Sequence, residues 1–407
     1  MKTARSKIMF YFDSPFYSGA DMQAVRNAKD LVSAGHELVI VYRDSGNLGV
    51  ELRKRITSPT ISFFALGSPM GKQRLHSKKV SEFLREPFVF FASLCWAMRL
   101  ANKVRPDVIH INNGGYPGAV GARGFALGSL LLFPATAVLF TVNNLAVPYS
   151  NPSRWLQAPT DFILGRSKIV WITASRAAGA RLSKVVGIRD KQLRAIRNGI
   201  EPLLCTCDGD HFDEYPEFDA TIIVATQVGH LELRKGQLTL IESVNNLKVK
   251  NLLSSNWRFL LEGDGAMKKE LQMKISEFGL ESEVQLLGRV RCVFHLLART
   301  NVLIHPSSSY EDLPNIISEA MSFGLPVIGS DVGGISEQVA NSVSGIVVPP
   351  SDIDALSDAI RSLMSSEPLR AKMGGMAYKR FLSDFSRGPA LKAYRELYLN
   401  PKDPRND

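Results

Sequence analysis

The chain has 407 residues, 45% of them apolar, which is long enough for two domains and apolar enough to bury two large cores. Its net charge of +10 is unevenly placed: the first 200 residues carry 28 Lys and Arg against 11 Asp and Glu, the remainder 21 against 28. Cys95, Cys205, Cys207 and Cys292 are scattered, which argues for free thiols in a reducing compartment rather than a disulfide framework.

In chain order, residues 1–7 are basic, but the apolar run 8–12 is too short for an export signal and ends at Asp13. It reads as a first buried strand. The loop 13–20 (DSPFYSGA) follows, and its Gly19 either lets the backbone approach a ligand or simply serves a steric need between strand and helix. Over 21–34, Val25, Ala28, Leu31 and Val32 recur at helical period before a Gly35 stop. A strand is expected at 37–42. Next come Arg53-Lys54-Arg55 and a basic run in which Lys72, Arg74, Lys78, Lys79 and Arg85 precede Phe88-Val89-Phe90-Phe91, Leu94 and Trp96. Basic residues joined to aromatic ones suit an anionic membrane surface. A core helix over 83–98 with its lysines on a solvated face accounts for the same residues. No nucleic-acid-binding motif accompanies the charge, so no nucleic-acid partner is expected.

Further strands are expected at 108–111, 137–142 and 169–173. His110 ends its strand and reads as structural. The span 124–153 carries no charge, yet Pro134, Asn143, Asn144 and Pro148 interrupt it. It reads as a buried helix (117–133) feeding a buried parallel strand (137–142) rather than a membrane span. The strand and helix patterns then lapse over 198–219. Within that stretch, Cys205-Thr206-Cys207 with His211 lacks the second pair of a zinc site, and Asp208-Gly209-Asp210 is not at a strand end. No metal is expected. A second series of strands follows at 221–225, 257–262, 284–287, 302–305, 327–329 and 345–348. Short apolar strands alternating with helices imply the α/β class, with two doubly wound, Rossmann-like domains over 1–200 and 201–385. Ligands of such sheets bind beyond the carboxyl ends of the strands, here in a cleft that both sets of strand ends face.

The densest signal is 305–337, HPSSSYEDLPNIISEAMSFGLPVIGSDVGGISE. Glu311 lies in the loop after a strand, Pro314 opens a helix, and Glu319 shares a helix face with Asn315. Free N–H groups near Pro314, Asn315 and Ile316 make an anion site, while the two carboxylates accept hydrogen bonds from hydroxyls. A nucleotide sugar has both phosphate and hydroxyls. On spacing alone, a solvated Glu311 and an ordinary helix-face Glu319 account for the pattern equally well. Arg234 and Lys235, in the segment VGHLELRKG (228–236), likewise read alone as a solvated helix start.

Taken together, HPS, Tyr310-Glu311, Leu313-Pro314-Asn315, Glu319-Ala320-Met321, Gly324-Leu325-Pro326-Val327 and Val332-Gly333-Gly334 resemble the donor-site signature of glycosyltransferase family 4. That family is retaining and has the two-domain GT-B fold. The resemblance implies that Glu311 approaches the donor sugar, Glu319 binds the nucleotide ribose, and Gly19 sits over the donor phosphates. Lys235 would neutralise the leaving diphosphate. The usual arginine position holds His230, so either His230 as imidazolium or Arg234 would serve in its place, or phosphate stabilisation would be weaker here. Asn143 stands where many members have a histidine close to the sugar; an amide can bond a hydroxyl but cannot move protons. Arg289 lies where members hold the base, largely through backbone. The final segment, 386–407, resembles the GT-B helix that crosses back onto the first domain.

The implied function is transfer of a sugar from a nucleotide-sugar donor to a glycan or lipid-linked acceptor, with retention, in cell-surface polysaccharide or glycolipid synthesis. Neither metal nor other cofactor is expected, and the place is cytoplasmic or peripheral on the inner face of the cell membrane. His230 and Asn143 keep two alternatives open: a catalytically silent nucleotide- or glycan-binding scaffold, and a nucleotide-sugar epimerase.

Overall fold

Buried apolar strands alternating with helices build two separate parallel sheets. The computed structural model describes residues 6–14, 16–17, 19–44, 46–67, 78–116, 118, 120–132, 135–147, 154–201, 216 and 218–400. These fall into two packing units, one within Met1–Arg197 plus Ala390–Asp407 and the other within Asn198–Pro389. Cys205, Cys207, His211 and the Asp208-Gly209-Asp210 triplet lie outside the described residues.

The first unit's sheet contains β1 (Lys7–Phe12), β2 (Glu37–Asp44), β3 (Ile61–Gly67), β4 (Val108–Asn113), β5 (Ala137–Val142), β6 (Val170–Thr173) and β7 (Leu193–Ala195). Their order is β3-β2-β1-β4-β5-β6-β7, with every pair parallel. Alternate side chains of a strand face opposite sides, so each central strand feeds two cores. Met9 and Tyr11 pack with Val39, Val41, Ile109 and Ile111 on one side. Ile8, Phe10 and Phe12 pack with Leu38, Ile40 and Val108 on the other. The helix Gly19–Ser33 follows β1 and is closed by Gly35, whose φ of +88° needs a glycine.

The helix Arg387–Leu399 sends Tyr394, Leu397 and Tyr398 into that second core, and Arg395 pairs with Asp30 at 2.6 Å. Tyr398 also fixes His110: its hydroxyl lies 2.6 Å from Nδ1, while Nε2 lies 2.7 Å from the Thr141 hydroxyl. Burial pushes the His110 pKa down to about 3, so the ring is a neutral structural bridge.

The helix Lys78–Val104 is longer than the expected 83–98 and runs through Pro87. It packs closely on the helix Val120–Leu132, where a Cβ at Gly124 or Gly128 would meet the carbonyls of Phe90 and Leu94. Its outer side leaves Phe88 64% and Phe91 62% exposed. Lys72 and Arg74 lie outside the described residues, as do the side chains of Lys78, Lys79 and Arg85. Among the described residues, no helix is long and apolar enough to cross a membrane.

The second unit's sheet contains β8 (Ile223–Val228), β9 (Trp257–Glu262), β10 (Val284–Gly288), β11 (Val302–His305), β12 (Val327–Ser330) and β13 (Gly345–Val348). Their order is β10-β9-β8-β11-β12-β13, again all parallel. The strands differ from the sequence reading in several places, and β2 and β4 each run two residues past their expected ends. β8 runs past the expected end at 225 because its polar residues are satisfied: Thr226 bonds Thr300 at 2.7 Å, and Gln227 donates to the Lys235 carbonyl at 2.7 Å. β3 is an edge strand whose residues are half-buried or exposed apart from Leu66, and β7 is three residues held by pairing to β6. Neither shows a buried apolar run.

The His110 bridge predicts a pH-dependent stability. The unfolded chain protonates this histidine near 6.5, whereas the native ring resists until about 3. Native stability therefore falls as pH drops below 6.5. Between about pH 7.5 and about pH 5.5, the wild type should lose about 1.4 kcal/mol more than His110→Gln in urea titrations.

Candidate active site

The order of the second sheet creates a crevice. From β8 the chain steps to β9 on one side, whereas β11 steps to β12 on the other, so the loops leaving β8 and β11 diverge at a topological switch point. The β8 loop passes through Gly229 and His230 into a 3₁₀ turn, Leu233–Lys235, and then the helix Gln237–Val249. The β11 loop passes through Pro306 to Glu311 and the helix Asn315–Ser322.

Two features press these loops together. Gly236 has a φ of +72°, and a Cβ there would run into the Pro306 carbonyl. The Ser308 N–H donates to the Arg234 carbonyl at 2.8 Å. The result brings Glu311, Lys235 and Arg234 into contact. The buried carboxylate accepts from the Lys235 amine, and Arg234 Nη1 lies 3.1 Å from the same Oε1. Ser307 Oγ donates to Oε1 at 3.1 Å, and His305 Nε2 stands 3.7 Å away. Burial alone would push the Glu311 pKa up, but His305 and Lys235 outweigh it and hold it at about 2. Glu311 is therefore an anion at neutral pH. Oε1 takes all of these contacts, and Oε2 has no protein hydrogen-bond partner among the described residues. Tyr310, just before it, holds a left-handed φ of +55°, which turns the chain into the site.

Pro314 leads into the helix Asn315–Ser322, which has no side-chain cap. The Ile317 N–H bonds the Pro314 carbonyl at 3.2 Å, while the amides of Asn315 and Ile316 have no partner among the described residues. Two N–H groups thus remain at the start of this helix, four and five residues beyond Glu311. The Asn315 side chain accepts from Asn198 at 3.2 Å, and half-buried Glu319 is one turn further along the same face.

His230 and Arg289 gather elsewhere. Both are exposed, and both bear electrostatically on Glu262 at the end of β9 rather than on Glu311. Glu262 is buried, accepts from the Val290 N–H at 3.3 Å, and is pushed up by burial.

Gly19 and Asn143 belong to the first unit. Asn143 Nδ2 donates to Asn112 Oδ1 and to the Asn113 carbonyl, each at 3.0 Å. Asn112 in turn donates to Asp21 at 2.9 Å, in the helix that Gly19 begins. One polar network therefore joins the exits of β1, β4 and β5. Sequence reading gave no individual role to Asp21, Asn112, His305, Ser307 or Glu262. The signal available for the last four was their place at or just beyond the ends of apolar strands, and for Asp21 its place in the first turn of the helix after β1. Among the described residues, no group of three or more His, Cys, Asp or Glu is arranged to hold a metal.

Two family models match this chain in succession: Glycosyltransferase Family 4 over residues 17–202 and Glycosyl transferases group 1 over residues 212–380. The chain is 25% identical over 331 residues to the alpha-D-kanosaminyltransferase of Streptomyces kanamyceticus, covering 75% of this chain and 82% of that protein. It is 26% identical over 178 residues to the UDP-Gal:alpha-D-GlcNAc-diphosphoundecaprenol alpha-1,3-galactosyltransferase of Escherichia coli, covering 44% of this chain and 45% of that protein. Several other curated relatives are also matched over less than two thirds of their own length. Among solved structures, Anabaena HepE in complex with UDP superposes with a TM-score of 0.73 at 19% identity, over 96% of this chain and 98% of that one. The chain belongs to glycosyltransferase family 4, and its two parallel α/β units have the GT-B fold.

Proposed function

We propose that this protein transfers a sugar, with retention, from a nucleoside diphosphate donor to a glycan or lipid-linked acceptor in cell-surface polysaccharide or glycolipid synthesis. The observation that carries this reading is the Glu311–Lys235–Arg234 cluster on the loop that leads into an uncapped helix. Departure of a nucleoside diphosphate places growing negative charge on phosphate oxygens. Preorganised cations and amides stabilise such charge without reorganisation, and Lys235, Arg234 and the Asn315 and Ile316 N–H groups are those donors here. Glu311 Oε2 accepts a hydroxyl of the donor sugar, and its charge favours an oxocarbenium-like state. Glu319 bonds the ribose. His230 and Arg289, beside Glu262, border the nucleoside side of the same crevice. Gly19 and Asn143 serve the acceptor-side unit. The HepE complex holds UDP and the Escherichia coli relative names a UDP-sugar donor, which supports a uridine nucleotide as first choice. The same relative's diphosphoundecaprenol acceptor supports a lipid-linked one.

The reading includes attachment of the first unit to an anionic membrane on the inner face of the cell. Phe88, Phe91 and Trp96 are exposed on one helix, and Arg53, Lys54 and Arg55 are exposed nearby in sequence. Aromatic insertion and lysine or arginine attraction add on a lipid surface of opposite charge. The reading needs no metal and no nucleic acid.

Release of UDP from a panel of UDP-sugars, with and without a polyprenyl-diphosphate acceptor, tests the activity. Lys235→Ala should lower kcat/KM by about 10²–10³-fold and weaken UDP binding, while Glu311→Gln should lower kcat by a similar factor with binding kept. Full activity in EDTA is expected. UDP binding without turnover on any donor would favour the silent scaffold, and a sugar isomer formed without acceptor would favour the epimerase.

Acid stability should follow Glu311. Its carboxyl titrates near 4.5 when unfolded and at about 2 in the fold, so its contribution is complete above 4.5 and fades as pH falls towards 2. Thermal melts of wild type and Glu311→Gln should therefore converge between about pH 6 and about pH 3.

Sedimentation with phosphatidylglycerol vesicles should pull down the wild type and lose most of a Phe88→Ser/Phe91→Ser variant, with little binding to phosphatidylcholine alone. Equal recovery of both proteins would remove this face from the membrane reading.

A further inference from the structure

The four groups on Glu311 Oε1 are of two kinds. Lys235 and Arg234 are cations of the β8 loop, and an incoming diphosphate competes for both. His305 and Ser307 come from the exit of β11, are 2% and 0% exposed, and stand 3.2 Å from one another. A diphosphate cannot draw them away. His305 also carries a cost: it continues the buried run Val302, Leu303 and Ile304, yet its Nδ1 is sealed without a hydrogen-bond partner. An apolar side chain at that position would avoid this penalty. The opposite ring nitrogen, Nε2, is the one facing Ser307 and Glu311.

We propose that His305, acting with Ser307, is a positioning residue that holds Glu311 by Oε1 so that Oε2 stays turned to the donor sugar when Lys235 and Arg234 move to the diphosphate. The inference rests on the transferase reading above. Ser307 is itself fixed, since its carbonyl accepts from the Ser330 hydroxyl on β12. The clamp is therefore part of the sheet, whereas the cations sit on a loop. Hydrogen-bond donation to one carboxylate oxygen also favours the ionised form, so orientation and charge are kept together. The charged groups around the clamp are Glu311, Lys235 and Arg234, with Glu232 pairing Arg234 at 2.7 Å on its outer side.

The test compares full-length wild type with His305→Leu, His305→Gln and Ser307→Ala. UDP affinity is measured by calorimetry and turnover with the donor identified by the panel. His305→Leu should lower kcat about 10²-fold while the Kd for UDP changes less than about threefold, and His305→Gln should recover about tenfold of that loss. Unchanged kcat in His305→Leu, or a parallel loss of UDP affinity, overturns the proposal. A wild type without turnover refutes the transferase reading instead, and a second measurement then still decides the clamp. In ¹³C-glutamate NMR with UDP bound, the carboxylate resonance missing from Glu311→Gln should stay constant from about pH 6 to about pH 4.5 in wild type and titrate within that window in His305→Leu. Identical behaviour in the two proteins overturns the clamp.

Discussion

The second unit depends on one buried charge. A carboxylate removed from water costs several kcal/mol unless cations and donors surround it, and Glu311 is surrounded by Lys235, Arg234, Ser307 and His305. Those partners arrive from two loops far apart in sequence. Their meeting requires that β8 and β11 be neighbours and that Gly236 present no side chain to Pro306. A second glycine close approach, Gly263 against the Gly229 carbonyl, sets the adjoining β9 exit against the same β8 loop. Backbone shape and buried charge thus constrain each other.

The same arrangement makes the pair useful. The cations neutralise Glu311, and a diphosphate bound as proposed above would offer them more negative charge. The cluster therefore stores its cations against an internal anion without exposing that anion fully to water. The exits of the first unit's strands are chemically different. They carry a network of Asn143, Asn112 and Asp21, while Arg43 there is tied to buried Asp13. Such amides and carboxylates can bond hydroxyls, and they offer no cluster of cations like that around Glu311.

Charge is divided accordingly. The excess of lysine and arginine lies in the first 200 residues, yet the cations that touch Glu311 lie in the acidic remainder. The basic excess is thus carried by a different part of the chain from the cations that pair with Glu311. It lies instead in the unit that carries the exposed aromatic residues of the helix Lys78–Val104.

Much of the fold was legible from sequence because a parallel strand covered on both faces is a continuous apolar run, and runs such as 8–12, 257–262 and 302–305 reappear as buried strands. The edge strand β3 and the three-residue β7 were not legible, since pairing rather than burial makes them strands. Glu311, Lys235, Pro314 and Glu319 stood out as residues because their motifs are local. Whether Arg234 or His230 accompanies Lys235 was not a local question. The turn at Leu233–Lys235 aims Arg234 at Glu311 and leaves His230 near Glu262. His305 and Ser307 read as the end of a strand and a loop residue, and only the three-dimensional packing of the β11 exit placed both beside one oxygen of Glu311. The sequence by itself determined which elements form and where charge is carried, because these follow from short-range pattern. Which oxygen of a carboxylate each group reaches depends on the order of strands in a sheet, and tertiary structure alone decided it.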